Sequence, residues 1–298
     1  MKTGLSLAIY LAGVVLASAL VAPWVFAACQ WFGPFRDAMF HDVLNRVLML
    51  LAVGGAFVLI ASQKALSRET LGLTEPRRAP KEAMVGACVA IGSVAAVWFL
   101  GAATGALVWD GGRSAGKWLA MTALHLLIGV VVGVIEEIFF RGCLLGWLRQ
   151  RWNVWAALGF VTLFYAITHF LDPPKGGKQI DVDWLSGFVM LGRYCENLGQ
   201  DLRWLPQFAM LLLVGLTLGW CFLRTSRLYL PMGLHAGWVF AGKMLTFATN
   251  PNAVGDDWWF GSGKIIGSPI TIVTLAAVFA LMIWMCRQPM LQRAPRNS

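Results

Sequence analysis

Eight apolar runs, each about 20 residues long, follow one another along this chain and limit what it can fold into. In lipid, every backbone N–H and C=O group must find a partner inside the protein, so such runs cross a bilayer as helices. The composition agrees, because 58% of the residues are hydrophobic and only 13% are charged, against about 25% charged residues in soluble domains. The sequence therefore predicts an all-α, polytopic membrane protein with about eight transmembrane helices.

The runs show no internal repeat and no second domain, so we expect one integral membrane domain over residues 1–298. The segment 172–203 is polar and too long for a plain connection. A lid or lateral gate and a passive loop on the membrane surface both fit it. An interfacial helix with one apolar stripe is expected there, formed by Trp184, Leu185, Phe188, Val189 and Leu191. The predicted spans are about 5–29, 47–62, 83–109, 117–150, 154–171, 205–223, 228–247 and 268–286.

The distribution of lysine and arginine predicts the orientation of the chain. The connection between the second and third runs is the most basic one, and alternating spans place it on the same side as both termini. Because basic loops favour the cytoplasm, we expect both termini there, in the plasma (inner) membrane of a bacterium. The net charge of +9 does not predict nucleic acid as a partner, since no basic segment interleaved with aromatic residues occurs. The lipid bilayer is the expected surrounding.

Two adjacent glutamates, Glu136 and Glu137, lie inside the fourth run. Ionisable groups at membrane depth are costly unless paired, and by default they mark a functional site. In a helix, Glu137 and Arg141 stand four residues apart on one face and can pair. Glu136 is turned about 100° away and could face a cavity. Glu137 thus fits an ion pair that fixes helix packing, and Glu136 fits a role in chemistry at the site.

Two histidines complete the candidate site, His169 in the fifth run and His235 in the seventh. If the fourth and fifth runs form an antiparallel hairpin, Glu136 and His169 lie about 21 and 24 Å from its turn, at nearly the same depth. His235 fits less well, because it lies only about 10 Å past the turn at 224–227 by the same helical rise. Either that turn lies deeper or the helices are offset.

A carboxylate and two imidazoles at one depth support two ways of hydrolysing an acyl bond. In the first, Glu136 is the general base on a water, helped by His169, while His235 donates to a developing oxyanion. In the second, these three side chains bind a divalent metal such as zinc and leave one position open for water. The residues alone do not choose between the two.

The motifs Glu136-Glu137-x-x-x-Arg141, Tyr165-x-x-x-His169 and His235 together resemble the CAAX protease and bacteriocin-processing (CPBP, or abortive-infection) family of intramembrane endopeptidases. The Ras-converting CAAX prenyl protease is a member of this family. The resemblance covers residues 128–243 as a catalytic core and implies eight helices around a membrane-embedded cavity. It also implies hydrolysis of a peptide bond in a membrane-associated protein or peptide, without a catalytic metal.

The resemblance assigns a role to each site residue. Glu136 would activate a water that His169 shares, and His235 would stabilise the oxyanion. Arg141 would orient the glutamate pair, of which Glu137 is the second member.

Two positions depart from the family's pattern. The second motif usually begins with phenylalanine, where this chain has Tyr165. The third motif usually has asparagine or aspartate four residues after its histidine, where this chain has Val239, which cannot donate a hydrogen bond. Either Trp238 or a backbone N–H replaces that donor, or the second donor is absent. A non-catalytic scaffold, chaperone or immunity factor of the same fold is therefore the alternative to an endopeptidase, and a transporter with a proton relay is a third hypothesis.

Overall fold

The computed structural model describes residues 2–33, 36, 38–63, 66–169, 181–200, 204–250, 258–261, 266–288 and 291. Most of these residues are helical. Their helices are α1 (Lys2–Cys29), α2 (Phe40–Ser62), α3 (Arg68–Leu71), a 3-10 turn (Pro76–Arg78), α4 (Ala79–Ala103), α5 (Ala115–Glu137), a π-helical segment (Ile138–Leu145), α6 (Gly146–Leu148), α7 (Val154–Thr168), α8 (Ser186–Gln200), α9 (Leu205–Thr225), α10 (Tyr229–Ala248) and α11 (Pro269–Met285). Two short strands, β1 (Val108–Trp109) and β2 (Thr249–Asn250), pair antiparallel.

Within these residues, five helical stretches are long and apolar enough to cross a membrane: Gly4–Cys29, Phe40–Ser62, Arg68–Ala103, Ala115–Leu148 and Leu205–Thr225. The helices α7 and α11 are shorter but apolar, and α10 is 20 residues long. These eight stretches correspond to the eight predicted runs and confirm a polytopic, all-α membrane protein. The cytoplasmic location of both termini, the bacterial inner membrane and the central cavity stay predictions.

Two of the predicted boundaries were wrong. α2 begins at Phe40 rather than near Val47, because Val43 is buried in phase with Val47 and extends the helical face toward the N-terminus. α4 ends at Ala103 rather than near residue 109. The chain leaves the helix at Gly105, whose φ of 74° favours glycine, and then forms β1.

The described chain divides into two compact units, and the first comprises residues 1–66 and 167–204. In its core, the rings of Phe26 and Phe40 meet edge to face, with centroids 5.6 Å apart. α8 packs on α1 through Gly187, where a Cβ would overlap the backbone of Ala19.

The polar segment contains a helix, α8, and its position at the membrane interface and its apolar stripe stay predictions. Met190 and Tyr194 are buried, whereas Trp184, Leu185 and Val189 are exposed. The Tyr194 hydroxyl donates to Asn45 on α2, 2.9 Å away, so a polar contact helps to choose this face. The role of 172–203 as a lid stays a prediction, and its parts 172–180 and 201–203 lie outside the described residues.

The second unit comprises residues 67–166 and 205–298, and α10 packs between α4 and α5 within it. Small residues line both contacts. A Cβ at Gly233 would overlap the backbone of Ala83 on α4, and a Cβ at Gly133 on α5 would lie 2.8 Å from the Ala236 nitrogen. Glycine at these positions lets the helix backbones approach closely. The division into two units does not decide whether 1–298 is one domain, which stays a prediction.

The turn before α10 is buried inside the second unit. Arg227 has no exposed surface, and its guanidinium lies 2.7 Å from Glu82 on α4 and 3.0 Å from Glu75. It also donates to the Leu291 carbonyl oxygen at 3.1 Å. The Leu228 N–H donates to the Gly72 carbonyl oxygen at 2.9 Å. The buried turn explains why His235 follows it so closely in sequence and still reaches the interior.

Candidate active site

Three buried side chains from two regions of the second unit meet at the end of α5. Glu137 is the last residue of α5, and its Oε1 atom accepts a hydrogen bond from Arg141 Nη1 at 2.6 Å. The same oxygen lies 2.8 Å from His235 Nδ1 on α10. Glu137 and Arg141 have no exposed side-chain area. The predicted pair of Glu137 and Arg141 is therefore present, and His235 joins it.

The helix changes its winding directly after Glu137. Residues 138–145 form a π-helical segment, in which the Gly146 N–H reaches the Arg141 carbonyl oxygen five residues earlier. Such segments are rare and are frequent at functional sites. α3 packs against this segment, and a Cβ at Gly142 would lie 3.2 Å from the Leu71 carbonyl oxygen. Gly142 thus leaves room for α3 beside the π-helical segment.

Glu136 occupies a different environment from its neighbour. Its side chain is 26% exposed, and its Oε2 atom lies 3.8 Å from His235 Nε2. This distance is longer than a direct hydrogen bond. The imidazole of His235 is thus placed between the two glutamates, with Nδ1 bonded to Glu137 and Nε2 turned toward Glu136. The expected separation of the two carboxylates on the helix is confirmed.

Tyr165 closes the site from the side of α7. The Cζ atom of Arg141 lies 4.7 Å from the centre of the Tyr165 ring. The Tyr165 ring also stands edge to face against His235, with centroids 6.1 Å apart. On the other side, Arg141 Nη2 donates to the Gly215 carbonyl oxygen of α9 at 3.3 Å. Side chains and backbone from α5, α7, α9 and α10 therefore surround the ion pair.

The hydrogen bond between Glu137 and His235 was not predicted from the sequence. It requires α10 to lie close to α5, and glycines four residues apart permit that approach. Gly129 and Gly133 on α5 lie against Ala236, next to His235. This small-residue spacing is the sequence signal from which the contact could have been inferred.

Three further predicted residues lie outside this hydrogen-bonded cluster. His169 directly follows α7, is half-buried and belongs to the first unit, so its catalytic role stays a prediction. Val239 lies one turn after His235 on α10. The Trp238 indole N–H donates to Ser93 on α4 at 3.1 Å. The Trp238 N–H thus has an acceptor on α4, and its role as the replacement donor stays a prediction.

A metal site needs several ligands directed at one point. Among the residues that the structure describes, no group of three or more His, Cys, Asp or Glu side chains is arranged to hold a metal ion. The bond from His235 Nδ1 to a carboxylate is nevertheless also typical of metal-ligating histidines. The zinc alternative with Glu136, His169 and His235 stays a prediction.

Residues 116–241 match the model of a family described as Type II CAAX prenyl endopeptidase Rce1-like. This stretch runs from α5 into α10 and contains all of the candidate site residues. Neither the curated proteins nor the solved structures gave a match. The family suggests CAAX-type intramembrane protease activity, and the match confirms the resemblance that the sequence motifs predicted. Residues 116–241 of this chain are thus similar to the Rce1-like type II CAAX prenyl endopeptidase family.

Proposed function

We propose that this protein is a glutamate-type intramembrane endopeptidase that hydrolyses a peptide bond in a membrane-associated protein or peptide. The observation that carries the proposal is the position of the His235 imidazole, 2.8 Å from Glu137 Oε1 and 3.8 Å from Glu136 Oε2. An ion pair that only fixes packing needs one carboxylate for Arg141. The second carboxylate, Glu136, is half-buried and lies on the other side of the imidazole, and we assign the chemistry to it.

In this mechanism, Glu136 is the general base. We propose that the partly exposed Glu136 carboxylate holds the attacking water on the side of the site that His235 Nε2 faces, 3.8 Å from Glu136 Oε2. Glu136 takes a proton from this water, and the water oxygen bonds to the carbonyl carbon while the carbonyl electron pair moves to its oxygen. The intermediate then collapses, the C–N bond breaks, and Glu136 returns the proton to the leaving amine. By the family resemblance, His169 shares the attacking water.

Glu137 and Arg141 position the imidazole. Because Nδ1 bonds to the Glu137 carboxylate, Nδ1 carries a proton and the ring is held in one orientation. With both nitrogens protonated, His235 presents an Nε2–H group to the developing oxyanion. Arg141 holds Glu137 in place through the 2.6 Å bond. The proposal thus gives a role to each of the five polar side chains, Glu136, Glu137, Arg141, His169 and His235.

The family's name suggests a substrate cleaved near a prenylated C-terminus. We propose a membrane-associated peptide as substrate, with the prenyl group as a variable to be tested. The distribution of lysine and arginine supports cytoplasmic termini, and we propose the plasma membrane of a bacterium as the location.

The proposal is tested by measuring metal content and cleavage together. Wild type and Glu136→Ala are purified in detergent without chelator, bound zinc is determined, and a quenched peptide library with and without C-terminal prenyl groups is assayed. We expect Glu136→Ala to lower cleavage about 100- to 10,000-fold, the range of a lost general base. Wild-type cleavage should survive a strong chelator. Glu69→Ala, a change at an exposed glutamate of α3, is the matched control and should cleave normally.

Three results would change the assignment. Stoichiometric zinc that is lost in Glu136→Ala, together with chelator-sensitive cleavage, would make Glu136, His169 and His235 a ligand set. Full cleavage by Glu136→Ala would contradict the general base. A wild type that binds the prenylated peptides and cleaves none of them would favour a non-catalytic scaffold.

A further inference from the structure

Three arginines of the second unit lie at the ends of apolar helices. Arg149 and Arg151 belong to the turn between α6 and α7, and Arg224 lies in the last turn of α9. The stretches of sequence that contain them, 138–166 and 205–250, have no aspartate or glutamate. These helices therefore carry positive charge at their ends that they do not neutralise themselves.

Contacts between the start of α7 and the end of α9 bring these arginines to one place. The Cζ atom of Arg149 lies 4.8 Å from the centre of the Phe222 ring on α9. The indole rings of Trp155 on α7 and Trp220 on α9 stack, with centroids 5.9 Å apart. Arg151 lies between these two contact points along the chain, so it is held beside the end of α9.

Arg151 and Arg224 are exposed, and neither pairs with a carboxylate within the described part of the chain. The Cζ atom of Arg224 lies 5.8 Å from the centre of the Trp220 ring, and that of Arg151 lies 5.1 Å from the centre of the Trp147 ring. Arg151 Nη1 also donates to the Trp147 carbonyl oxygen at 3.4 Å. A guanidinium has five N–H donors, so most of them are left for a partner, and their planar fork matches a phosphate group.

The stacked indoles lie on the membrane side of the two exposed arginines. Trp155 is the second residue of α7, which continues from there as an apolar helix, and Trp220 lies five residues before the end of the candidate span Leu205–Thr225. The Trp155 side chain is 60% exposed. Exposed indole rings at the ends of spans lie at the level of the lipid head groups. The surface thus presents positive charge next to an apolar ring, in the order in which a phospholipid presents its phosphate and its acyl esters.

We propose that Arg151, Arg224 and Trp155 form a binding site for the head group of an anionic phospholipid. The lipid phosphate accepts hydrogen bonds from the two guanidinium groups, and the acyl ester region packs against the exposed Trp155 ring. Basic surfaces between transmembrane helices bind head groups of this kind. The inference goes beyond the proposed function and does not rest on it, because none of the three residues belongs to the site around His235.

The test measures lipid binding to the full chain in detergent by native mass spectrometry. The probes are dioleoyl phosphatidylglycerol, which is anionic, and dioleoyl phosphatidylcholine, which is zwitterionic and has the same acyl chains. Wild type should bind the anionic lipid at least about tenfold more tightly than the zwitterionic one. Arg151→Gln/Arg224→Gln should lower the affinity for phosphatidylglycerol about 10- to 30-fold, since each arginine next to an anionic lipid contributes a factor of about five. Arg151→Lys/Arg224→Lys keeps the charge and should retain most of the affinity.

The matched control is Arg46→Gln/Arg77→Gln, which removes the same charge from two other exposed arginines. This control should bind phosphatidylglycerol as wild type does. The thermal unfolding temperature without added lipid should be the same in all of these proteins, because the replaced side chains are exposed. A weaker affinity in Arg151→Gln/Arg224→Gln is then a property of this surface and not of the fold.

Four results would overturn the assignment. Equal affinity of wild type for the two lipids would show no preference for an anionic head group. Unchanged affinity in Arg151→Gln/Arg224→Gln would show that these arginines do not bind the lipid. A loss as large in the control variant would mean that net charge alone attracts the lipid. An unchanged lipid affinity together with a higher KM for an acidic peptide would show that the surface binds a peptide substrate instead.

Discussion

The second unit contains two buried arginine–glutamate clusters, and they differ in how completely their hydrogen bonds are made. Around Arg227, every guanidinium nitrogen has an acceptor: Nε and Nη2 meet Glu82, Nη1 meets Glu75, and Nη2 also meets the Leu291 carbonyl oxygen. Around Arg141, the Nε atom and the Glu137 Oε2 atom make no hydrogen bond within the described part of the chain.

This difference indicates what each cluster is for. Buried polar groups are normally satisfied, and an exception calls for an explanation such as catalysis or a bound water. The Arg227 cluster holds the turn that starts α10. The Arg141 cluster binds His235 of α10. Its Arg141 Nε and Glu137 Oε2 atoms can still bind other partners. The same pair of residue types thus serves structure in one place and, by our proposal, chemistry in the other.

The largest effect on stability is expected at Arg227. Arg227→Met should lower the free energy of unfolding by about 3–5 kcal/mol, because it leaves Glu82 buried without its cation. Unfolding in detergent, followed by tryptophan fluorescence, measures the change. The double variant Glu82→Leu/Arg227→Met removes both charges and should recover most of the loss. A double variant as unstable as the single one would mean that the Leu291 and Glu75 contacts matter more than the buried pair.

Glu137→Gln should have the opposite profile, with a larger effect on activity than on stability. The amide keeps the size of the side chain but can present its NH₂ group to His235 Nδ1, which favours the wrong tautomer. We expect kcat to fall at least roughly 10- to 100-fold, the range for a carboxylate that orients a metal-bound histidine. The free energy of unfolding should change less than in Arg227→Met. Unchanged kcat in a folded Glu137→Gln protein would show that the bond to His235 has no catalytic role.

The smallest effect on stability is expected for Glu75→Gln, at the partly exposed edge of the Arg227 cluster. The Glu75 side chain is 34% exposed, and it also pairs with Arg78 at 2.7 Å. Solvent screens such a pair, so the free energy of unfolding should fall by no more than about 1 kcal/mol. Cleavage should be unchanged. A loss of stability as large as that of Arg227→Met would show that the Glu75 contact matters as much as the buried contact between Arg227 and Glu82.

The sequence by itself determined the helical, membrane-spanning character of the chain and the pairing of Glu137 with Arg141. Both follow from local rules, since an apolar run must satisfy its own backbone and residues four apart share a helix face. The motif order also predicted the family. The predicted end of α4 failed because Val108 pairs with Asn250 in β2, a contact distant in sequence.

Only the tertiary structure decided which glutamate His235 binds. That choice depends on the close approach of α5 and α10 through Gly133 and Ala236, and on the turn that Arg227 holds in the interior. It also decided that the Trp238 N–H is taken by Ser93. Periodicity along one helix states which residues share a face, but it does not state which neighbouring helix that face meets or at what depth.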